Sequence, residues 1–122
     1  MENLVDVVEE YMTSVVVRKI WMLTNCVTDA EGLRTMFAGR DYTVSASPSA
    51  SAGFIDGFEN TLVTDWDTYA ADQSSFRAIL PSLDIVVLDG ISELNARSLH
   101  KWIENTAVAG WPLSPHTIFI TA

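Results

Sequence analysis

This sequence of 122 residues is poor in cysteine and in positive charge, and each shortage excludes a class of protein. Its single cysteine, Cys26, excludes a disulfide within the chain and favours a reducing compartment. Lysine and arginine number 7 against 16 acids. The net charge of −9 disfavours non-specific binding to nucleic acid, because the phosphate backbone repels an acidic surface.

Long apolar runs are also missing. No run approaches the ~20 residues that a membrane-spanning helix needs. The first ten residues, MENLVDVVEE, carry acids where a secretory signal peptide carries positive charge. We therefore expect a cytoplasmic protein that contacts no membrane and, through this domain alone, no nucleic acid.

The residues that are present suit one compact domain over residues 1–122. Hydrophobic residues make up 48% of the chain and charged residues 19%, which is typical of a globular protein with a buried core. In residues 1–14, Leu4, Val8 and Tyr11 share one stripe, and this pattern predicts an amphipathic N-terminal helix.

Capping residues and breakers predict three further helices. In the second of these, an aromatic stripe repeats at helical spacing, which favours a face buried on a sheet over a base-stacking platform. The predicted helices begin at the caps Thr28, Thr64 and Ser92 and end near Gly39, Pro81 and Gly110, and Gly39 is expected in the left-handed conformation.

Between the helices lie apolar segments that predict strands at 15–23, 42–46, 84–88 and 116–121. Three of them are continuously apolar, which is typical of parallel strands covered on both faces. Residues 47–62 are rich in serine and glycine at their start, and we expect an irregular insertion there. Strands alternating with helices predict an open parallel α/β sheet.

The order of these segments resembles the receiver domain of bacterial response regulators. Receivers begin with a strand similar to KIWMLTN, at residues 19–25 of this chain. Their third strand is similar to DIVVLD and ends in the phosphate-accepting aspartate, and their fourth strand commonly ends in TA. On this resemblance Asp89 occupies the phosphoacceptor position, and Thr121 occupies the switch position whose hydroxyl contacts the phosphoryl group.

The resemblance implies a three-layer, flavodoxin-like parallel sheet of strand order 2-1-3-4, to which this chain adds its N-terminal helix. Besides an insertion of roughly twenty residues between its second and third predicted strands, the chain departs from the family at two places that bear on chemistry. Thr24 and Asn25 stand where active receivers carry the acidic pair that holds Mg²⁺, a cation that prefers hard oxygen ligands such as carboxylates. The family's fifth strand, with its lysine, is absent from these 122 residues.

These departures predict a pseudo-receiver: a signalling module of the two-component type that acts through protein–protein contacts, independently of phosphorylation. We expect no enzymatic activity, no metal and no cofactor. The first alternative is a genuine phosphoacceptor that uses Asp89 and is truncated before its lysine strand. A second alternative is a fragment of a P-loop ATPase, because DIVVLDGISEL resembles the acid-bearing strand of those proteins, although no GxxxxGK[ST] loop is present.

A catalytic pair of Cys26 with His116 is not expected. In a parallel sheet, Cys26 follows the carboxyl end of its strand, whereas His116 begins its own strand at the opposite edge. Strand residues rise ~3.3 Å each, so the two side chains lie far beyond hydrogen-bond reach.

The last predicted strand, TIFITA, leaves an apolar edge without the lysine, proline or inward charge that normally protects one. Three elements are candidates to cover this edge: the N-terminal helix, a second copy of the chain, or a strand supplied by a partner protein. We predict a symmetric homodimer in which residues 2–13 and 116–121 contribute. The expected interface residues are Leu4, Val8, Tyr11, Ile118 and Ile120.

Overall fold

The computed structural model describes residues 4, 6–8, 19–40 and 42–122. Its centre is a four-stranded sheet in which every pair of neighbouring strands is parallel, and the strand order is β2-β1-β3-β4. The open parallel α/β fold and the 2-1-3-4 order are therefore confirmed. The strands are β1 (Ile20–Thr24), β2 (Thr61–Asp65), β3 (Ile85–Asp89) and β4 (Ile118–Thr121).

Helices cover both faces of the sheet. They are α1 (Val27–Ala38), α2 (Ala52–Ile55), α3 (Trp66–Ala71), α4 (Gln73–Phe76), a 3₁₀ helix (Arg77–Ser82) and α5 (Glu93–Val108). Near the N-terminus, Leu4 and residues 6–8 are also helical, as predicted, and the rest of residues 1–14 lies outside the described part of the chain. No helix among the described residues is long and apolar enough to cross a membrane.

The alternation of side chains along each strand divides the core into two halves. One half, the aromatic face, lies under α3, α4 and α5, and in it the Trp21 ring stacks on Phe76 with 5.3 Å between ring centroids. The other half, the aliphatic face, includes Ile20 and Met22 of β1 and packs against Phe37 of α1. All five residues of β1 are buried, as expected for a strand covered on both sides.

The second strand lies at Thr61–Asp65, so the prediction of a strand at 42–46 is wrong. That earlier segment contributes only an isolated bridge between Val44 and Thr61. The true strand, TLVTD, is buried throughout although three of its five residues are polar. Its polarity hides it in the sequence, because the groups that satisfy the buried Thr64 hydroxyl come from distant parts of the chain.

Predicted helix boundaries are partly wrong. Thr28 is not an N-cap, since α1 begins at Val27 with Cys26 in the capping position. Gly39 is right-handed, with a φ of −71°. In contrast, Ser92 caps α5 by accepting a hydrogen bond from the Asn95 N–H at 3.1 Å, and Gly110 has a left-handed φ of 104°, as the sequence predicted.

The helix predicted from Thr64 to Leu80 is also wrong as a single element. Thr64 lies inside β2, and Asp65 caps the helix instead. Asp72, at φ −147° and ψ 56°, then interrupts the helical backbone between α3 and α4. Because Pro81 sits within the 3₁₀ helix and cannot continue an α-helix, the segment ends in tighter turns before β3.

The first strand begins later than its predicted range of 15–23. It starts at Ile20, and residues 15–18 lie outside the described part of the chain. Within residues 47–62, the structure places the short helix α2, whose Phe54 is buried in the aromatic face, and the first residues of β2.

Candidate site at the carboxyl edge of the sheet

The parallel strands bring four polar residues to one edge of the sheet. Thr24 ends β1 and is paired in register with Asp65 of β2 on one side and with Asp89 of β3 on the other. Thr121, the last residue of β4, is paired with Leu88. In open α/β sheets, ligands bind in the crevice outside the carboxyl ends of strands, where the strand order reverses. The order here reverses between β1 and β3, so Thr24 and Asp89 flank that point.

Asp89 is a partly buried acid whose charge is disfavoured. Burial raises the pKa of its carboxyl above the usual value, and the negative charge of Asp29 in α1 raises this pKa further. The structure therefore places a second acid close to the expected phosphoacceptor, and the two carboxylates repel each other.

The turn after Asp89 is used to hold β4 in place. Gly90 has a left-handed φ of 67°, a conformation that glycine adopts without steric cost. Its N–H donates to the Ala122 carbonyl at 3.0 Å, and the Ala122 N–H donates to the Leu88 carbonyl at 2.9 Å. Since the Gly90 N–H is already bonded to β4, it is not a partner for the Asp89 carboxylate.

Thr24 and Asn25, the residues expected at the acid-pair position, differ in exposure. The Thr24 side chain is fully buried, and its hydroxyl donates to the Cys26 carbonyl at 3.1 Å. This hydrogen bond fixes the start of α1. Asn25, in contrast, is exposed. Of the two, only the Asn25 amide has an open path to a ligand in solvent.

Asp65 is the site residue that the sequence reasoning missed. It is buried, and its carboxylate accepts hydrogen bonds from the Thr68 N–H at 3.1 Å and the Thr68 hydroxyl at 2.7 Å. This acid therefore caps α3 and helps to fix the β2–α3 turn. An Asp directly before the helical repeat of Trp66 and Tyr69, a preferred N-cap residue, is the signal that locates it.

The remaining candidates do not join this edge. Cys26 lies just after β1, whereas His116 lies before β4 at the opposite edge, so the structure keeps them apart. Among the described residues, no group of three His, Cys, Asp or Glu side chains is placed to hold a metal ion. Lys19 lies at the amino end of β1, where its ammonium donates to the Ile55 carbonyl at 2.9 Å.

Several expected interface residues contribute to the chain's own core. Val8 is fully buried in the aliphatic face, and Leu4 packs against the same cluster. Ile120 is 7% exposed, and Ile118 packs beside it as a partly buried residue. Tyr11 lies outside the described residues. The side chains of Val8 and Ile120 are thus unavailable to a partner in this conformation.

The chain matches no protein-family model and no curated protein. Among solved structures, it is similar to the crystal structure of the Pyrococcus furiosus Hef helicase domain, with a TM-score of 0.60 and 17% sequence identity. The similarity covers 95% of this chain and 24% of that one, so the chain spans about a quarter of the helicase domain's length. At this identity the comparison shows a shared fold, the parallel α/β sheet with its helices.

Proposed function

We propose that this domain is a receiver-like regulatory module that acts through protein–protein contacts and does not depend on phosphorylation of Asp89. It works in the cytoplasm, is not itself an enzyme, and uses no cofactor. The observation that carries the proposal is the surroundings of Asp89, where burial and the neighbouring Asp29 disfavour negative charge.

Phosphoryl transfer to a carboxylate depends on positioning and on neutralisation of charge. A phosphoryl group on Asp89 would carry roughly −1.5 to −2 charges beside Asp29, in place of the single charge of the carboxylate. At the acid-pair position, the buried Thr24 hydroxyl donates to a backbone carbonyl and supplies no charge. Lys19 is at the far end of β1, so it cannot balance a charge at this edge.

Labelling with a small phosphodonor tests this proposal. After incubation with acetyl phosphate and Mg²⁺, we expect the intact mass of the protein to stay unchanged, since burial and the charge of Asp29 disfavour further negative charge at Asp89. Asp89→Asn is the matched control, because it keeps the shape of the side chain and removes the acceptor. A gain of one phosphoryl group that disappears in Asp89→Asn would instead establish the phosphoacceptor alternative.

A second candidate function is favoured by the fold comparison. The chain's likeness to the Hef helicase domain, together with the resemblance of DIVVLDGISEL to the acid-bearing strand of P-loop ATPases, supports a portion of a helicase-type nucleotide-hydrolysing protein. Asp89, at the end of a central strand, would then face the Mg²⁺ of a bound nucleotide. The phosphate-binding loop would have to come from outside these 122 residues.

Calorimetric titration with Mg²⁺·ATP tests the second candidate. For a protein-binding module we expect no saturable heat; because the phosphate loop is outside residues 1–122 under either candidate, only a positive result separates the two. Saturable binding that is weakened by Asp89→Asn would favour the helicase-type function. In this test Glu104→Gln is the control, since it neutralises an exposed acid near the end of α5, away from the carboxyl edge where that helix begins.

A further inference from the structure

β4 is an edge strand, and among the described residues none pairs with the outer side of its backbone. Towards β3, the Ile118 N–H donates to the Asp84 carbonyl and the Ala122 N–H donates to the Leu88 carbonyl, each at 2.9 Å. Backbone groups alternate in direction along a strand, so the N–H and C=O groups of Phe119 and Thr121 point away from β3. Within the described part of the chain, no hydrogen bond to these outward groups is present.

The side chains along this edge do nothing to repel another strand. Residues 117–122, TIFITA, carry no charge and no proline, the features that usually protect an edge. Phe119 is 36% exposed, and its ring lies 5.0 Å from the His100 ring of α5, measured between centroids. The open edge is thus neutral and apolar on a chain whose net charge is −9.

We propose that β4 pairs with β4 of a second copy in an antiparallel, two-fold arrangement that joins two sheets into one. The inference rests on the proposed protein-binding function and names its partner. With the two-fold axis at Ile120, Phe119 faces Thr121 of the second copy. Each such pair exchanges both of its N–H···O bonds, which is the hydrogen-bonded pairing of antiparallel strands.

Two observations favour a second copy over a different protein. First, the outward groups at Phe119 and Thr121 are placed symmetrically about Ile120, so the edge is complementary to itself, as a two-fold interface requires. Second, the edge is uncharged, so two copies of an acidic chain bring no like charges opposite each other along the strands. The two Phe119 rings then lie on a diagonal of roughly 7–8 Å, within reach of each other.

This pairing leaves the core undisturbed. Ile120 and Ile118 stay packed in the aliphatic face of their own chain, and only backbone groups, Phe119 and Thr121 meet the second copy. The proposal therefore moves the predicted interface from buried side chains to the outer edge of β4.

The first experiment compares two substitutions of Thr121 by light scattering coupled to size exclusion. The native chain is expected to have a dimer mass that decreases on dilution. Thr121→Pro removes an outward N–H without touching the bonds to β3, and proline is tolerated at such edge positions, so we expect a monomer. Thr121→Val keeps the N–H and should remain a dimer.

A second variant guards against misfolding of the proline variant. Phe119→Lys places a charge at the edge, as natural edge strands do, and should also give a monomer, with Phe119→Leu as its control. Circular dichroism confirms the fold of each variant. A native chain that is monomeric at high micromolar concentration, a dimer that both Thr121→Pro and Phe119→Lys leave intact, or open-ended assembly would overturn the proposal.

Disulfide cross-linking tests the proposed register, in which Phe119 faces Thr121 of the second copy. In a Cys26→Ser background, a mixture of Phe119→Cys and Thr121→Cys chains should oxidise to a mixed disulfide, because facing pairs have Cα atoms about 5.5 Å apart. Each variant alone should cross-link far less. Phosphorylation of Asp89 would contradict the proposed function but leave these masses unchanged, so the two proposals fail separately.

Discussion

The two outer edges of the sheet differ in how they are covered. At the β2 edge, the Ser45 N–H donates to the Thr61 carbonyl at 2.8 Å, and the Thr61 N–H donates to the Thr43 carbonyl at 3.2 Å. An irregular segment thus covers the first residue of β2 at this edge without forming a strand. The β4 edge has no such cover among the described residues. A few residues of loop suffice to close an edge, so the open one is the position where another strand fits.

A proline placed on each edge tests this contrast most strongly. Thr61→Pro removes an N–H that is bonded to the Thr43 carbonyl in a buried position. The Thr43 carbonyl keeps its second hydrogen bond, from the Asn60 N–H at 2.9 Å, so the cost comes from one lost hydrogen bond, about 0.5–1.5 kcal/mol, and from the clash of the proline ring in this buried position. We expect the variant to lose at least about 2 kcal/mol of unfolding free energy. Urea denaturation followed by circular dichroism measures it.

The matched variant is Thr121→Pro, whose N–H points outward. At protein concentrations low enough to keep the chain monomeric, its unfolding free energy should stay within about 0.5 kcal/mol of the native value, as for most surface substitutions. Equal losses at the two positions would show that the edges do not differ in the way described.

Removing one hydroxyl group at each edge makes the same comparison with a smaller structural change. Thr64 accepts a hydrogen bond from the Trp21 indole at 3.1 Å and donates one to the Pro48 carbonyl at 2.7 Å, which ties the segment at the β2 edge to the core. Thr64→Val keeps the shape and leaves both partners unsatisfied, so we expect a loss of about 1–3 kcal/mol. Thr121→Val removes only an exposed hydroxyl and should change little. A Thr64→Val variant whose unfolding free energy equals the native value would refute the stabilising role of these two hydrogen bonds.

The difference between the edges also explains which parts of the fold the sequence predicts. β3 is continuously apolar and α5 begins at Ser92, and both signals are local, so the sequence locates them. β2 is different, because its Thr64 is satisfied by Pro48 and Trp21, residues far away in sequence. No local pattern carries that information, and the strand was placed too early.

The residues of the candidate site divide in the same way, into those that a local sequence pattern locates and those that it does not. Asp89, Thr24 and Thr121 end strands that the sequence identifies, and the structure places all three at the carboxyl edge. Asp65 ends the strand that the sequence misplaces, so its role as the cap of α3 was missed. The closeness of Asp29 to Asp89 depends on how α1 packs on the sheet, which no sequence pattern shows.

Asp65 and Asp89 extend the comparison to the carboxyl ends of β2 and β3. The Asp65 carboxylate accepts two hydrogen bonds from Thr68 and caps α3. Asp65→Ala should therefore lower the unfolding free energy by about 1 kcal/mol, the usual cost of losing an N-cap. Asp65→Asn, which can still accept from the Thr68 N–H, is the control and should lose less. Chemical denaturation of the three proteins checks the order.

Asp89 is expected to give the smallest effect, and one of opposite sign. Its pKa in the folded state is raised above the ordinary value of 3.8, first by burial and then by Asp29. At a pH below both pKa values the carboxyl is protonated in the folded and unfolded states and costs nothing. As the pH rises through the folded-state pKa, the folded protein must ionise a group whose charge is disfavoured, and stability is lost.

Asp89→Asn cannot ionise at this position, so it should be more stable than the native chain near neutral pH. That advantage should vanish as the pH falls below about 4, the ordinary pKa of an aspartate, because the carboxyl is then protonated in both the folded and the unfolded native chain. Unfolding measured across this range checks the sign. Because Asp29 is the second cause of the shift, Asp29→Asn alone should remove part of the native chain's penalty, and the two substitutions together should stabilise less than the sum of their separate effects. An Asp89→Asn variant that is less stable than the native chain at neutral pH would mean that the ionised carboxylate has a favourable partner.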